Sequence, residues 1–507
     1  MRVDFTPIMR SRARSRLEEQ LRYLDHADSV QQEQLVKLVE RAALTWQGRR
    51  YDYSTIRTYR DFASRVPLSR YDDVRDAVMR MVRGEKDVLW RGRTWNFAQS
   101  SGTSDGKSKY IPITIDAFRL NHYQGANDVV NHYLNLNPHS KIFRGKGFIL
   151  GGSFANEVNN LPRGVRVGDL SASLIDNINP LVNLFRVPSK ATALMEDWRE
   201  KLPRLVEESR HADVTNLSGV PSWFLTVLKE VLRAAGASRI HEVWPNLEVF
   251  FHGGIAFEPY RKQYEAICDM SKMHFLNTYN ASEGFFATQT SWGTTAMMLL
   301  LDIGVFYEFI PLDRCHDDQP DALPLWEVRQ GETYELVITA CNGLWRYRIG
   351  DTVTIESLRP LKINIAGRTK AFINAFGEEL MVHNADAAIT AAAADTGARV
   401  ADYSAAPVYA DGGRRGRHEW LIEFDVMPDS VERFATLLDR RLKAVNSDYE
   451  AKRSGDIFLD PPTVVTLPAG TFDRWLAATG KLGGQRKVPR LCNDRRVADA
   501  ILAFLDR

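Results

Sequence analysis

Near the start of the chain, apolar residues recur every three or four positions between charged ones, which is the spacing of an amphipathic helix. The residues that carry this stripe are Leu17, Leu21, Leu24, Leu35, Leu38, Val39 and Ala42. The pattern predicts helical structure over residues 10–46, lying as a peripheral cap on the rest of the protein.

From about residue 85 to residue 365 the pattern changes to short β-rich runs that alternate with helical stretches such as 221–235. The β-rich runs cover 146–151, 247–251, 274–279, 305–310 and 334–339. Alternation of this kind favours an α/β architecture with a substantial sheet.

The character of the chain changes again at Gly367-Arg368-Thr369-Lys370. Beyond it the pattern predicts an alanine-rich helix over 386–394, strands over 419–426 and a helix over 430–444. We therefore place a boundary between a large α/β domain, residues 1–367, and a small α+β domain, residues 368–507. The second segment is long enough to have a core of its own.

The composition is ordinary for a globular protein and excludes several classes. Of 507 residues, 44% are hydrophobic and 26% charged, and a formal net charge of +2 is too balanced for a nucleic-acid-binding protein. No run of about 20 apolar residues is present, so a membrane partner is not expected. The four cysteines are scattered without a CxxC pair, which argues against a zinc site or a disulfide framework. We expect a cytoplasmic protein.

The turn at residues 100–110 has a composition suited to binding a polyphosphate, because it combines hydroxyls, glycines and lysines. A Walker P-loop would need glycine where Ser101 stands and a helix afterwards, which Pro112 opposes. The turn is therefore expected to join two strands. The alternative to phosphate binding is an exposed polar hairpin without a ligand. The candidate phosphate-binding residues are Ser100, Ser101, Gly102, Thr103, Ser104 and Lys107.

A second candidate follows the β-rich run at 274–279, where side chains should lie in the turn at the end of a strand. Open α/β sheets bind ligands at that position. Tyr279 offers a flat face for a purine, Ser282 a hydroxyl for phosphate, and Glu283 a carboxylate for Mg²⁺ that bridges phosphate oxygens. The alternative is a packed ring and a solvated charge.

Two further strand ends carry residues suited to the rest of a nucleotide. The carboxylate of Asp351, in the segment 347–351, is able to accept from both hydroxyls of a ribose. The alternative is a surface Arg-Asp pair, worth about 0 to 1 kcal/mol. Gly253 and Gly254 permit close backbone approach to a planar base, or form only a tight turn.

A glycine-rich loop at 480–490 holds four cations and no acidic residue. Such a loop can bring Lys487 or Lys481 onto a phosphate, and its ordinary alternative is a solvated basic loop. No GxSxG elbow and no HExxH motif is present. His122, His252 and His274 are therefore interpreted as structural.

In their order along the chain, these motifs resemble those of the Gretchen Hagen acyl-acid amido synthetases. That family is a branch of the adenylate-forming enzymes, which include acyl-CoA ligases and luciferase. Residues 100–107 resemble its phosphate loop, 279–283 its Tyr-x-x-Ser-Glu motif and 347–351 its Tyr-Arg-x-Gly-Asp motif. Gly367-Arg368 resembles its crossover between domains, and 484–490 its C-terminal lysine loop. The likeness spans nearly the whole chain.

The resemblance implies the adenylate-forming fold, an α/β architecture with a large N-terminal domain and a smaller, mobile α+β C-terminal domain. It implies that Lys487 and Glu283 are catalytic and that Glu283 holds Mg²⁺. The ATP-binding residues that it implies are Ser100, Ser101, Gly102, Thr103, Ser104, Lys107, Gly253, Gly254, Tyr279, Ser282, Asp351 and Arg368.

The implied reaction has two steps. A carboxylate attacks the α-phosphate of Mg-ATP to give an acyl-adenylate and pyrophosphate, and an amine, usually an amino acid, then displaces AMP to form an amide. The acyl pocket is expected at 151–154 and 216–223, and the sequence leaves the acid and the amine open. We expect a monomer or a weak homo-oligomer.

Three alternatives stay open at this point. An AMP-forming acyl-CoA ligase shares the first half-reaction. A nucleotide-binding protein without catalysis is disfavoured, because Glu283, Asp351 and Lys487 all stand at motif positions. A P-loop phosphotransferase is disfavoured by Ser101 and Pro112.

Overall fold

A computed structural model describes residues 4–100, 109–154, 158, 160–255, 257–315, 317–368, 372–410, 415–456, 458–478 and 488–505. The chain divides into two compact units, one formed by the described residues up to 368 and the other by those from 372 onward. None of the helices within these ranges combines the length and the apolar character needed to cross a bilayer.

The first unit begins with helices, as the apolar stripe predicts, but the stretch is broken at Leu21 and at His26. Arg16 fixes the first helix, because its guanidinium lies 2.8 Å from a carboxylate oxygen of Asp128 and 2.6 Å from one of Asp302. The helices of this unit are α1 Thr6–Gln20, α2 Arg22–Asp25, α3 Ala27–Ala42, α4 Trp46–Arg50, α5 Tyr59–Arg65, α6 Tyr71–Val82, α7 Tyr123–Leu136, α8 Leu170–Asp176, α9 Pro180–Asn183, α10 Lys190–Ala193, α11 Trp198–Arg210, α12 Pro221–Ala235, α13 Ile240–Val243 and α14 Glu258–Ile267.

The strands of the first unit include every β-rich run that the sequence predicts. They are β1 Asn96–Ser100, β2 Lys109–Ile113, β3 Lys146–Ile149, β4 Arg166–Gly168, β5 Arg186–Val187, β6 Val214–Gly219, β7 Val249–Gly253, β8 His274–Ala281, β9 Gly284–Gln289, β10 Met297–Leu299, β11 Val305–Pro311, β12 Leu323–Pro324, β13 Thr333–Ala340, β14 Tyr347–Leu358 and β15 Leu361–Arg368. Helix α12 has the bounds that the pattern predicts.

Twelve of these strands form one mixed sheet, in the order β12-β11-β13-β14-β15-β10-β9-β8-β7-β6-β3-β5. Neighbouring strands in the part β8-β7-β6-β3-β5 of this order are parallel. In the other part, from β12 at the edge through to β8, neighbouring strands are antiparallel. A separate sheet, β2-β1-β4, pairs Ser100 with Lys109 across antiparallel strands. The polar segment between these two residues therefore joins two strands, as predicted.

The second unit has the α+β character expected beyond residue 367. Leu421 packs with Phe472 and Ile501 in one core, while Phe424, which points to the other side of the strand, contacts Phe434. Helices therefore cover both faces of its central sheet, β18-β19-β20. Its elements are β16 Phe372–Ile373, β17 Leu380–Met381, α15 Val382–Thr396, β18 Arg399–Val408, β19 Arg417–Val426, α16 Val431–Val445, α17 Ser447–Arg453, β20 Thr463–Leu467, α18 Thr471–Ala478 and α19 Arg496–Leu505.

Candidate functional site

Five parallel strands, in the order β5-β3-β6-β7-β8, have their carboxyl ends at one edge of the large sheet. From β3 the chain crosses to β5 on one side, and it then returns to β6 on the other side. Open α/β sheets bind ligands outside the carboxyl ends of strands where the connections diverge in this way. We call the region formed by residues 150–153 after β3 and residues 219–220 at the end of β6 the switch edge.

The switch edge includes parts of both segments that the sequence assigns to an acyl pocket, 151–154 and 216–223. They are adjacent, since the amide of Leu150 donates to the carbonyl oxygen of Ser218 at 3.2 Å. Trp223, in the first turn of α12, packs edge-on against Trp198 of α11 with ring centroids 5.6 Å apart. The structure thus brings the two segments together, and their contact with an acid stays a prediction.

Strand β7 ends in a diglycine, and its two residues are needed for different reasons. A side chain at Gly253 would place its Cβ 2.6 Å from the carbonyl oxygen of Thr278 on β8, whereas Gly254 has a φ of +82°, which favours glycine. His252, just before them, stacks on Phe257, and burial lowers the pKa of its imidazole to about 3. This histidine is therefore neutral near pH 7. Contact of the glycines with a base stays a prediction.

Strands β8 and β9 form a hairpin with a two-residue turn. Because β8 continues to Ala281, the turn consists of Ser282 and Glu283 alone. Tyr279 lies inside the strand, not in the turn where the sequence placed it, and its ring packs against Phe286 with centroids 5.0 Å apart. The ring is 4% exposed, and Glu283 is 8% exposed. The tyrosine is thus a packed ring, and the glutamate is not a solvated charge.

The hydroxyl of Tyr279 donates a hydrogen bond to Oδ2 of Asp351 at 2.7 Å. Asp351 belongs to β14, and β15, β10 and β9 separate β14 from β8 in the sheet. Neighbouring strands lie about 4.8 Å apart, so a flat sheet would hold these two residues about 19 Å apart. The sheet is therefore strongly curved here, beside the short strand β10. The curvature brings two of the predicted nucleotide-binding residues into contact.

The turn between β13 and β14 holds the β8–β9 hairpin in place. Nδ2 of the buried Asn342 donates to the backbone oxygen of Glu283 at 2.9 Å. Sequence reasoning missed this asparagine. The dipeptide Asn342-Gly343 was its only signal, since that pair is typical of turns.

Two buried ion pairs hold the segment that leads to Asp351. Arg346, with a φ of +43°, lies 2.8 Å from a carboxylate oxygen of Glu308, and Arg348 lies 2.6 Å from one of Glu335. Arg346 also donates to two backbone carbonyls near the end of α5. The alternative of a surface Arg-Asp pair does not describe this segment, because both arginines and Asp351 are buried.

The remaining predicted residues are placed only in part. Ser100 ends β1, in the smaller sheet, and Arg368 ends β15, where its backbone lies opposite Asp351. The side chain of Arg368 is outside what the structure describes. The predicted residues that lie wholly outside the described ranges are Ser101, Gly102, Thr103, Ser104, Lys107, Lys481 and Lys487.

Glu283 is the predicted ligand of Mg²⁺. In the part of the chain that the structure covers, no three His, Cys, Asp or Glu side chains are grouped as a metal site. Magnesium held by phosphates keeps several waters and takes only one or two protein carboxylates. A single hard carboxylate, on a turn that Asn342 fixes, fits an ion of that kind.

Comparison with known families matches most of the chain. The GH3 family N-terminal domain matches residues 16–185 and 170–273, the GH3 family central domain 298–368, and the GH3 family C-terminal domain 383–496. Indole-3-acetic acid-amido synthetase GH3.4 of Arabidopsis thaliana is 22% identical over 541 residues, covering 91% of this chain and 89% of that protein. Jasmonoyl--L-amino acid synthetase JAR4 of Nicotiana attenuata is 25% identical over 390 residues, covering 65% and 67%.

Solved structures of similar fold include ligases of two kinds. GH3.15 acyl acid amido synthetase in complex with 2,4-DB has a TM-score of 0.62 at 17% identity, covering 97% of this chain and 96% of that one. 2-Hydroxyisobutyryl-CoA ligase in complex with 2-HIB-AMP and CoA has a TM-score of 0.57 at 15% identity, covering 94% and 92%. These likenesses confirm the adenylate-forming fold that the sequence predicts.

Proposed function

This chain belongs to the GH3 family, and from that membership and the geometry of the site we propose that it is an ATP-dependent acyl-acid amido synthetase. It activates a carboxylic acid as an acyl-adenylate, and it transfers the acyl group to an amino acid or another amine. The observation that carries the proposal is the hydrogen bond between Tyr279 and Asp351, because it joins two of the predicted ATP-binding motifs across a curved sheet.

In the proposed complex, Asp351 binds the ribose of ATP. Its carboxylate accepts from the ribose hydroxyls, and the hydroxyl of Tyr279 orients it. Ser282 and the loop that Ser100 begins donate to phosphate oxygens, and Gly253, Gly254 and Arg368 complete the nucleotide site. Backbone amides and hydroxyls of this kind bind phosphate well.

In the first step, an oxygen of the acid forms a bond to the α-phosphorus of ATP, and the bond to the bridging oxygen breaks, releasing pyrophosphate. Negative charge builds up on the phosphate oxygens. Mg²⁺ held by Glu283 would offset that charge. The ammonium of Lys487 would do the same as a compact point charge.

In the second step, the amine nitrogen attacks the acyl carbon, loses a proton, and displaces AMP. The acid enters at the switch edge, where 151–154 and 216–223 are adjacent. We also propose the division into domains 1–367 and 368–507, a monomer or weak homo-oligomer, and a cytoplasmic location. Four free cysteines are consistent with that location.

The test is carboxylate-dependent exchange of pyrophosphate into ATP over a panel of aryl and alkyl acids. At least one acid should support exchange. Lys487→Ala should lower the rate about 100-fold or more, near 3 kcal/mol of transition-state stabilisation, and Lys481→Ala, from the same loop, should change it little.

Product analysis separates the alternatives. Amide and AMP are expected when an amino acid is added. AMP release that needs coenzyme A would identify an acyl-CoA ligase, and ADP among the products would identify a phosphotransferase. Exchange with none of the acids would contradict the proposed function.

A further inference from the structure

Lys201, on α11, is a buried lysine that the proposed reaction does not use. It is 1% exposed, its Nζ donates to the carbonyl oxygen of Gly151 at 2.6 Å, and it lies 4.8 Å from the ring centroid of Trp198. Burial lowers the pKa of its ammonium to about 8. Among the residues with described positions, no carboxylate is close enough to form an ion pair with it.

A buried ammonium without an ion-pair partner is costly to a fold. An apolar side chain of similar length would fill the same space without that cost. The bond to Gly151 is therefore the feature that distinguishes Lys201 from a packing residue. Gly151 belongs to the switch edge, where open α/β sheets bind ligands.

We call residues 151–153 the lip loop, and its backbone is held at three consecutive positions. The carbonyl of Gly151 accepts from Lys201, and the amide of Gly152 donates to Oγ of Ser171 at 2.8 Å. The carbonyl of Ser153 accepts from the amide of Asp169 at 2.9 Å. The segment before α8 and the start of that helix thus fix two of these positions, and Lys201 fixes the third.

The lip loop is packed too closely for side chains at its two glycines. A Cβ on Gly151 would lie 2.3 Å from Cδ1 of Ile175, and a Cβ on Gly152 would lie 2.4 Å from Cγ of Asp169. Contacts this short do not occur between real side chains. The loop is thus held by close packing as well as by its backbone hydrogen bonds, of which the bond from Lys201 is one.

We propose that Lys201 is a positioning residue for the acyl acid. By holding the carbonyl of Gly151, it sets the lip loop at the place where the acid enters the switch edge. The inference rests on the proposed function. Lys201 acts through Gly151 and does not itself contact the acid.

The test compares two Michaelis constants in pyrophosphate exchange, one for the acid at saturating ATP and one for ATP at saturating acid. Lys201→Met keeps the apolar length of the side chain but removes the donor and the charge. Its KM for the acid should rise about tenfold or more, as expected for loss of a charged hydrogen bond, while its KM for ATP stays within about twofold of wild type. Lys201→Arg, which keeps both donor and charge, should restore most of the affinity for the acid.

Lys229→Met is the matched control. Lys229 is an exposed lysine on α12 that donates to Oε1 of Gln263 at 2.9 Å. Removing its ammonium should leave both Michaelis constants unchanged. Lys201→Gln lacks the reach and the charge of lysine, so it carries the same expectation as Lys201→Met and replaces it if that variant does not fold.

An unchanged KM for the acid in Lys201→Met would overturn the inference. A parallel rise of both Michaelis constants would also overturn it, because that pattern indicates general disruption of the fold. Wild-type protein without exchange on any acid is a different result, since it refutes the proposed function and the inference with it.

Discussion

The antiparallel and the parallel halves of the large sheet bury charged residues in different ways. In the antiparallel half, Arg346 and Arg348 are each matched by a glutamate at 2.6 to 2.8 Å. Beside the parallel half, Lys201 of α11 is equally buried, but its ammonium forms no ion pair within described residues. It donates to a backbone carbonyl and lies over an aromatic ring, and the carboxylate of Asp169 acts on it from beyond ion-pair distance.

This difference separates two uses of a buried charge. A matched pair fixes the path of the chain, because either charge left alone would be strongly unfavourable. Arg346 and Arg348 in this way fix the segment that carries Asp351. A buried charge without an ion-pair partner does not offset the cost of its desolvation. Its presence is better explained by the segment that it holds in place, which here is the lip loop.

The largest effect is expected from breaking a matched pair. Arg348→Met leaves Glu335 buried without its partner and should lower the free energy of unfolding by about 3 to 5 kcal/mol. Urea unfolding followed by tryptophan fluorescence measures the loss. The double variant with Glu335→Met should recover much of it, because neither charge then remains. If Arg348→Met were as stable as wild type, the ion pair between Arg348 and Glu335 would not be what fixes this half of the sheet.

An intermediate effect is expected at the bond that links the two halves, from Tyr279 on β8 to Asp351 on β14. Tyr279→Phe removes one hydrogen bond to a carboxylate, worth about 1.5 to 3 kcal/mol, so the KM for ATP should rise about 10- to 100-fold. Tyr307→Phe is the control, because Tyr307 lies on β11 of the same sheet and its hydroxyl donates to the backbone oxygen of Leu300, just after β10. An equal change of KM in both variants would argue that the Tyr279–Asp351 bond has no specific role.

The smallest effect is expected for the stability of Lys201→Met. At pH 7 its free energy of unfolding should lie within about 1 kcal/mol of wild type, because the lost hydrogen bond is offset by removal of a desolvated charge. A loss as large as that of Arg348→Met would remove the contrast between the two halves.

The pH dependence sharpens this measurement. The pKa of Lys201 is about 8 in the fold, below the ordinary value of about 10.5. Between these values the unfolded chain binds more protons than the folded one, so the stability of wild type should rise with pH relative to Lys201→Met. Urea titrations of both proteins at pH 7 and pH 10 check the sign. If the difference in free energy of unfolding between wild type and Lys201→Met were the same at pH 7 and pH 10, the result would contradict the lowered pKa of Lys201.

Local patterns predicted the elements well, because period and turn residues are properties of neighbouring positions. Helix α12 and strand β11 lie close to the predicted bounds. The end of β8 was misplaced, since Ser282-Glu283 lacks the Asn-Gly or Asp-Gly signature of a two-residue turn. Because of this misplaced end, Tyr279 was predicted to lie in the turn, whereas it packs inside the strand.

The long-range features could not be predicted in the same way. The bond from Tyr279 to Asp351 depends on sheet curvature, which no local pattern expresses. Lys201 did leave a signal, because Trp198, Lys201 and Leu205 recur at the spacing of one buried helix face. Glu308 left another, as a single acid inside an apolar strand.

The bond between Tyr279 and Asp351 also has a consequence for how the protein meets its nucleotide. A free carboxylate rotates about its terminal bond, and binding a sugar would have to arrest that rotation. Here the rotation is already restricted, because Oδ2 of the carboxylate accepts from the hydroxyl of Tyr279. The carboxylate is thus preorganised, so less entropy is lost when a ribose binds.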